Sequence, residues 1–163
     1  MKYEVIDNFL DEEYFDNLVT LFTGCNQSSW FFTTEISNPN VVEDKFFYMT
    51  HMLYDHNMPV SPHYDKMIPL LEKLEARCLI RIKANLFPNT EILHEHLMHI
   101  DFDFSHSGAV LSLNTCDGYA KLKDGTKIDS VANRILLFDP SEEHCSTNTT
   151  NVPARFNINI NYM

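Results

Sequence analysis

Glycine is scarce in this sequence, at 4 of 163 residues, which excludes collagen-like, Gly-rich linker and low-complexity architectures. The four cysteines, at positions 25, 78, 116 and 145, share no short spacing. Zinc-ribbon pairs and a dense disulfide framework are therefore absent, and the cysteines read as reduced thiols. Positive charge is also short: 12 Lys and Arg stand against 23 Asp and Glu, a net charge of −11. That balance argues against a nucleic-acid-backbone binder or an anionic-membrane binder, though a local basic groove stays open. No apolar run is long enough to span a bilayer, and Met1-Lys2-Tyr3-Glu4 opens without an apolar signal core. The expectation is a soluble, cytoplasmic protein with no membrane partner.

Apolar material is plentiful: 44% of residues are hydrophobic, and 12 are Phe. The length suits one domain, 1–163, that fills its core without disulfides or metal staples. Residues 3 to 10 read as a strand and turn, and Asp11-Glu12-Glu13 opens a helix with the acidic first turn that its dipole favours. Tyr14, Phe15, Leu18, Val19, Leu21 and Phe22 recur at helical steps, with Gly24 as the stop. Aromatic and β-branched residues from 30 to 50 predict two strands around the linker Ser37-Asn38-Pro39-Asn40. Pro59 and Pro62 mark 52–65 as loop, and Met67, Leu70, Leu71 and Leu74 place a second helix over 66–77.

Beyond residue 78 the pattern becomes that of strands. Residues 79–87 alternate apolar with polar, 109–113 and 134–138 are apolar strand cores, 120–129 fold as a hairpin around Asp124-Gly125, and 154–162 alternate again. Strands along the chain number seven or eight, and two N-terminal helices followed by consecutive antiparallel strands fit an α+β fold. Residues 1–78 would form a helix-and-strand support region packed on a jelly roll at 79–163.

Metal-ligand side chains are densest in His94-Glu95-His96-Leu97-Met98-His99-Ile100-Asp101-Phe102-Asp103. Two imidazoles and a carboxylate on one face of an octahedron hold Fe(II) and leave positions open for a bidentate ligand and dioxygen. On an extended strand His99 and Asp101 would point the same way. Eight His and 12 Asp predict roughly 0.6 His-x-Asp pairs by chance, and two occur. The other pair, His63 and Asp65, precedes the second helix, where Asp65 reads as an N-cap.

Context separates the second pair from chance. His144 follows Asp101 after 42 residues, just past a buried strand and the turn Asp139-Pro140-Ser141, and Arg155 follows after ten more. This ordered set resembles the Fe(II)- and 2-oxoglutarate-dependent dioxygenases, whose double-stranded β-helix carries a His-x-Asp, a distant His and then a basic residue. The stretches Thr115 to Leu122 and Asn133 to His144 resemble that family's hairpin, turn and second-His strand. The opening Val5 to Glu13 resembles the entry of its prolyl-hydroxylase-like members. The likeness is strongest from 79 to 160.

The resemblance implies Fe(II) at His99, Asp101 and His144, with Arg155 on the distal carboxylate of 2-oxoglutarate. A planar, permanently charged guanidinium suits that role. Alternation puts Asn157 on Arg155's face, where many relatives carry Ser. Arg81, Lys83, Asn85 and Phe87 share one face of the preceding strand, a costly face to bury unless it lines a polar pocket. Asn85 matches an Asn that contacts 2-oxoglutarate in some relatives. Phe87 stands where those have Tyr, and Asn133 stands where Gly is usual. The implied reaction is C–H hydroxylation by dioxygen, with release of succinate and carbon dioxide, on a peptide or protein side chain or a small molecule.

Blander readings stand beside this one. His94, His96 and His106 read first as loop histidines, and Phe102 and Phe104 as core. A cupin-type site could use His94, His96 and a later carboxylate and His, without 2-oxoglutarate and without need of Arg155. A non-catalytic binding module on the same barrel would be expected to show a damaged triad, and this triad is intact.

Overall fold

A computed structural model describes residues 2–34 and 46–163. Eleven strands and two short helices are present among them. The strands are β1 (Tyr3–Ile6), β2 (Phe31–Thr33), β3 (Tyr48–Asp55), β4 (Met58–Pro59), β5 (Leu79–Pro88), β6 (Ser107–Ser112), β7 (Tyr119–Leu122), β8 (Lys127–Asp129), β9 (Ile135–Phe138), β10 (His144–Ser146) and β11 (Ala154–Tyr162). The helices are α1 (Glu12–Thr23) and α2 (Ile68–Lys73), the latter continuing a 3-10 turn at Tyr64–Met67. The fold is mostly β, with less helix than expected.

An eight-stranded antiparallel sheet runs β1-β9-β6-β11-β5-β3-β2, with β4 paired to β3, and a second sheet runs β10-β7-β8. At the centre of the large sheet, β11 pairs with β5 on one side and β6 on the other. Alternation along these strands divides their faces. Ile158, Ile160, Ile82 and Ala84 enter an apolar core with Leu53 and Leu111, which Phe15, Leu18 and Phe22 of α1 and Leu70 and Leu71 of α2 join. Arg155, Asn157, Lys83, Asn85 and Phe87 face a cavity whose far wall includes Leu122 of β7 and Ser146 of β10.

Local chemistry explains the boundaries. The Asp11 carboxylate accepts from Tyr14 N–H at 3.0 Å and starts α1. At the other end a Cβ on Gly24 would stand 2.5 Å from the Thr20 carbonyl oxygen. The second helix is shorter than its periodicity predicts, because Glu75 adopts φ 53° and turns the chain back. Asp65 is no N-cap: it lies within the 3-10 turn, which has no side-chain cap.

Residues 52–65 are largely not loop. His56 and Asn57, at φ 50° and 61°, make a two-residue turn that joins β3 to β4. Pro59 sits on this short edge strand, where its missing N–H costs no ladder bond. The linker Ser37 to Asn40 lies outside the described residues.

Asn133, at φ 59°, occupies the position where glycine was expected. Its side-chain oxygen accepts from Leu10 N–H and its amide donates to the Leu10 carbonyl, both at 2.8 Å, while the Asn133 backbone carbonyl accepts from Phe9 N–H at 2.9 Å. Glycine could take the backbone angle but could not make the two side-chain bonds that fasten the N-terminal segment to the turn before β9.

Candidate metal centre

His99 and His144 are brought together by their own backbones. Each N–H donates to the other's carbonyl at 2.9 Å, an antiparallel pairing that sets both side chains on one face. The same zipper continues along the chain: Glu95 bridges Thr147, and His96 N–H donates to Ser146. Asp101 does not share an extended strand with His99. It sits on a bend, held by its N–H to the Pro140 carbonyl at 2.9 Å. One ligand atom from each of His99, Asp101 and His144 lies within 4.8 Å of the others.

The tautomers are set by the loops. His99 Nδ1 faces the Leu97 carbonyl at 3.3 Å and His144 Nδ1 faces the Glu142 carbonyl at 3.0 Å. A carbonyl only accepts, so each Nδ1 carries the proton and each Nε2 keeps a lone pair for the centre of the cluster. Burial, then the neighbouring His144, push the His99 pKa down to about 4, and burial also lowers that of His144. Burial would raise Asp101, but Arg81, Lys83, His144 and His99 outweigh it and hold the carboxyl well below its usual range. At neutral pH the three therefore present two neutral imidazoles and one carboxylate, the protonation state that a divalent metal takes. Arg81 fixes that carboxylate at 3.0 Å and lies over the Phe102 ring at 4.9 Å.

At the other end of the cavity, Arg155 is 1% exposed. Its guanidinium donates to Ser130 Oγ at 2.5 Å, to Ser146 Oγ and to the Thr147 carbonyl at 3.0 Å. Among the described residues no carboxylate pairs with it. Burial lowers its pKa to about 10, still charged at neutral pH. Gly118 makes room for it: a Cβ there would stand 2.6 Å from Arg155 Cδ and 2.5 Å from the Asn148 carbonyl oxygen. Asn85 donates to Asn157 at 2.8 Å, which leaves the buried Asn85 Oδ1 without a partner among the described residues. Phe87 is buried between Arg155, 5.5 Å from its ring, and Tyr48, stacked at 5.2 Å.

The residues of the rival readings fall elsewhere. His94 stacks on Phe46 at 3.8 Å, and His96 lines the cavity 5.7 Å from the Phe87 ring. Neither belongs to the three-residue ligand group. His106 is buried and bonds the Phe104 carbonyl at 2.8 Å and Asn161 at 2.9 Å. His63 bonds the Gln27 carbonyl, and neither it nor Asp65 joins a ligand group among the described residues. Phe104 is exposed, not core. Tyr48, Ser130 and Ser146 were not singled out in the sequence. Only strand register brings Tyr48 to this wall, and only the tertiary fold brings the two serines to Arg155.

No protein-family model matches the chain, and no curated protein matches it in sequence. Solved structures do resemble it. A prolyl hydroxylase from Trichoplax adhaerens, in complex with a hypoxia inducible factor oxygen degradation domain peptide fragment, aligns over 99% of this chain and 83% of its own, with TM-score 0.69 and 14% identity. The collagen prolyl hydroxylase of Paramecium Bursaria Chlorella virus-1, bound to 2-oxoglutarate, aligns over 99% and 95%, with TM-score 0.59 and 13% identity. HygX from Streptomyces hygroscopicus, with nickel and 2-oxoglutarate bound, aligns over 98% and 82%, with TM-score 0.64 and 10% identity. The chain has the jelly-roll fold of the 2-oxoglutarate- and Fe(II)-dependent oxygenases. Among the described residues no helix is long and apolar enough to cross a membrane.

Proposed function

We propose that this chain is an Fe(II)- and 2-oxoglutarate-dependent oxygenase that hydroxylates a C–H bond of a peptide or protein side chain or a small molecule. The observation that carries this reading is one cavity with a half-buried two-His, one-carboxylate cluster on one side and a buried, carboxylate-free guanidinium on the other. Both halves of the cofactor pair fit. Nε2 of His99 and of His144 and a carboxylate oxygen of Asp101 would hold Fe(II), a donor set that leaves positions open. Arg155 would hold the distal carboxylate of 2-oxoglutarate, replacing the water its buried charge has lost. The hydrogen-bonded Asn85–Asn157 pair would line one side of the co-substrate chain.

When bound, iron and co-substrate supply the oxidative chemistry, with dioxygen as oxidant and succinate and carbon dioxide as products. The protein's own residues position and shield. Arg81 holds the Asp101 carboxylate in place, the two backbone carbonyls fix the imidazole tautomers, and Phe87, Leu136 and Phe138 keep the cavity walls apolar. All of the assigned residues fall in 79–163, with Tyr48 reaching in from the support region.

Anaerobic titration of metal-free protein with Fe(II), with and without 2-oxoglutarate, tests this. Chelation should produce a visible charge-transfer band that is lost in His99→Ala and Asp101→Ala. Iron binding without the band would transfer the case to a metal protein that does not use 2-oxoglutarate. No iron binding at all would leave a non-catalytic module.

A further inference from the structure

The cavity carries more positive charge than the proposed cofactors need. Asp101 is its only carboxylate among the described residues, and Arg81 already pairs with it. Lys83 and Arg155 line the cavity and Arg81 lies beside it on Asp101, so the three cations and one carboxylate leave a surplus of two positive charges in and around it. A divalent metal and a dianionic co-substrate add equal and opposite charge and leave that surplus in place. The setting makes this pointed, because the chain as a whole carries −11.

Lys83 is the cation without an ion-pair partner among the described residues. It projects from β5 on the cavity face, between Arg81 and Asn85, and is only partly exposed. Its ammonium lies 5.7 Å from the centre of the Tyr48 ring, and it forms no hydrogen bond or ion pair among the described residues. It is near enough to act electrostatically on His99, Asp101 and His144 together. Strand register puts it opposite Asn159, four residues along from the Phe87–Arg155 level, a separation of about 13 Å of strand. The Lys83 backbone thus stands on the Asp101 side of the cavity, where Asn159 reaches Asp101 at 3.5 Å, and its ammonium reaches over Tyr48, which stacks on Phe87. A partly buried ammonium without an ion-pair partner becomes costly when a bound substrate expels the remaining water, unless an anion meets it.

We infer that Lys83 is a specificity residue that binds an anionic group of the primary substrate, a carboxylate or phosphate held close to the carbon that is oxidised. This rests on the oxygenase reading and narrows its substrate class. The Lys83 ammonium lies over the Tyr48 ring, and the neighbouring Arg81 on the same face is already paired with Asp101. A neutral substrate would leave the ammonium unpaired once water is expelled.

Wild-type protein, Lys83→Met and Lys83→Arg, each loaded anaerobically with Fe(II) and 2-oxoglutarate, would be titrated with three matched pairs: glutamate and glutamine, N-acetylglutamate amide and N-acetylglutamine amide, and phosphoserine and serine. Binding is read by calorimetry and by perturbation of the charge-transfer band. In at least one pair the anionic member should bind about tenfold more tightly or better, the effect of one charge-assisted hydrogen bond. The pair that responds tells a free carboxylate from a peptide side chain or a phosphate. Lys83→Met should erase the preference, Lys83→Arg should keep most of it, and 2-oxoglutarate affinity should not change in either. No anionic preference in any pair, or weaker 2-oxoglutarate binding in Lys83→Met, would overturn the inference and leave the oxygenase reading intact. Absence of the band in the wild type would remove both.

Discussion

Replacing Arg155 separates the proposed co-substrate role from a merely structural one, because the two effects of the change differ in size. In Arg155→Ala the Ser130 and Ser146 hydroxyls and the Thr147 carbonyl lose their donor, at about 1–3 kcal/mol for each group that water cannot reach. The same change removes a buried cation that no carboxylate compensates, a gain of several kcal/mol. These oppose each other, so the stability of the cofactor-free protein should move little. Binding of 2-oxoglutarate has no such compensation. Truncating one partner of a buried, hydrogen-bonded charge pair costs about 2–5 kcal/mol, which is roughly 30-fold to a few thousand-fold in dissociation constant. Calorimetric titration of 2-oxoglutarate into the Fe(II)-loaded variant measures this directly, with urea unfolding of the metal-free protein as the companion. Arg155→Lys should fall between, since an ammonium keeps the charge and loses the two-point fork. Wild-type affinity in the Ala variant would refute the assignment. A collapse of stability with unchanged affinity in the folded fraction would make Arg155 a structural residue.

Two further changes test the frame around the site. Asn133→Ala should lower stability by about 3–5 kcal/mol, from left-handed backbone strain of about 1 kcal/mol and two buried Leu10 groups left unpaired. Asn133→Gly should relieve only the strain, and a glycine variant as stable as wild type in urea would show that the bonds to Leu10 carry nothing. Glu95 is held at a pKa of about 2 by hydrogen bonds from Lys121, Tyr119 and Lys127. A carboxylate depressed on folding stabilises above its unfolded value, about 4.5, and that contribution fades as pH falls towards 2. Wild type should therefore lose stability between pH 4.5 and 2 more steeply than Glu95→Gln. At 35% side-chain exposure the difference should stay below about 1 kcal/mol. Equal slopes in urea midpoints across that range would reject the clamp.

The clustering of His99, Asp101 and His144 was legible because they are carried in order along the chain, and β11 because its alternation spans Ala154–Tyr162 without interruption. Other elements leave weaker marks. The three residues of β10 have no strand signature of their own. They are extended because β7 pairs with them and because His99 reaches across 45 residues to exchange backbone bonds with His144. The periodicity of Met67, Leu70, Leu71 and Leu74 is satisfied equally by a 3-10 turn running into a short helix, so it could not tell the two apart. The β3–β4 hairpin turns on His56-Asn57, which lacks the Gly that usually announces such a turn. Tyr48 was visible as a strand residue, but a one-residue slip of β3 against β5 would have sent it to the opposite face.

What made the site readable is a conflict between pattern and burial. An antiparallel sheet commonly packs one face on the core and turns a polar face to water, but β5 and β11 are central strands, paired on both sides, and their second face lines a cavity instead. Yet Arg81, Lys83 and Asn85 on one, and Arg155, Asn157, Asn159 and Asn161 on the other, fall at alternate positions on a single face. Burying that many polar groups between paired strands costs more than core packing returns unless each finds a partner. Some find one inside the fold: Asn161 with His106 and Asn159, Asn85 with Asn157, and Arg155 with two serines. The charges of Arg155 and Lys83 find none among the described residues. Those two charges line one cavity, together with the His99, Asp101 and His144 cluster. The fold therefore stores its unsatisfied electrostatics where a dianionic co-substrate and an anionic substrate would meet the metal.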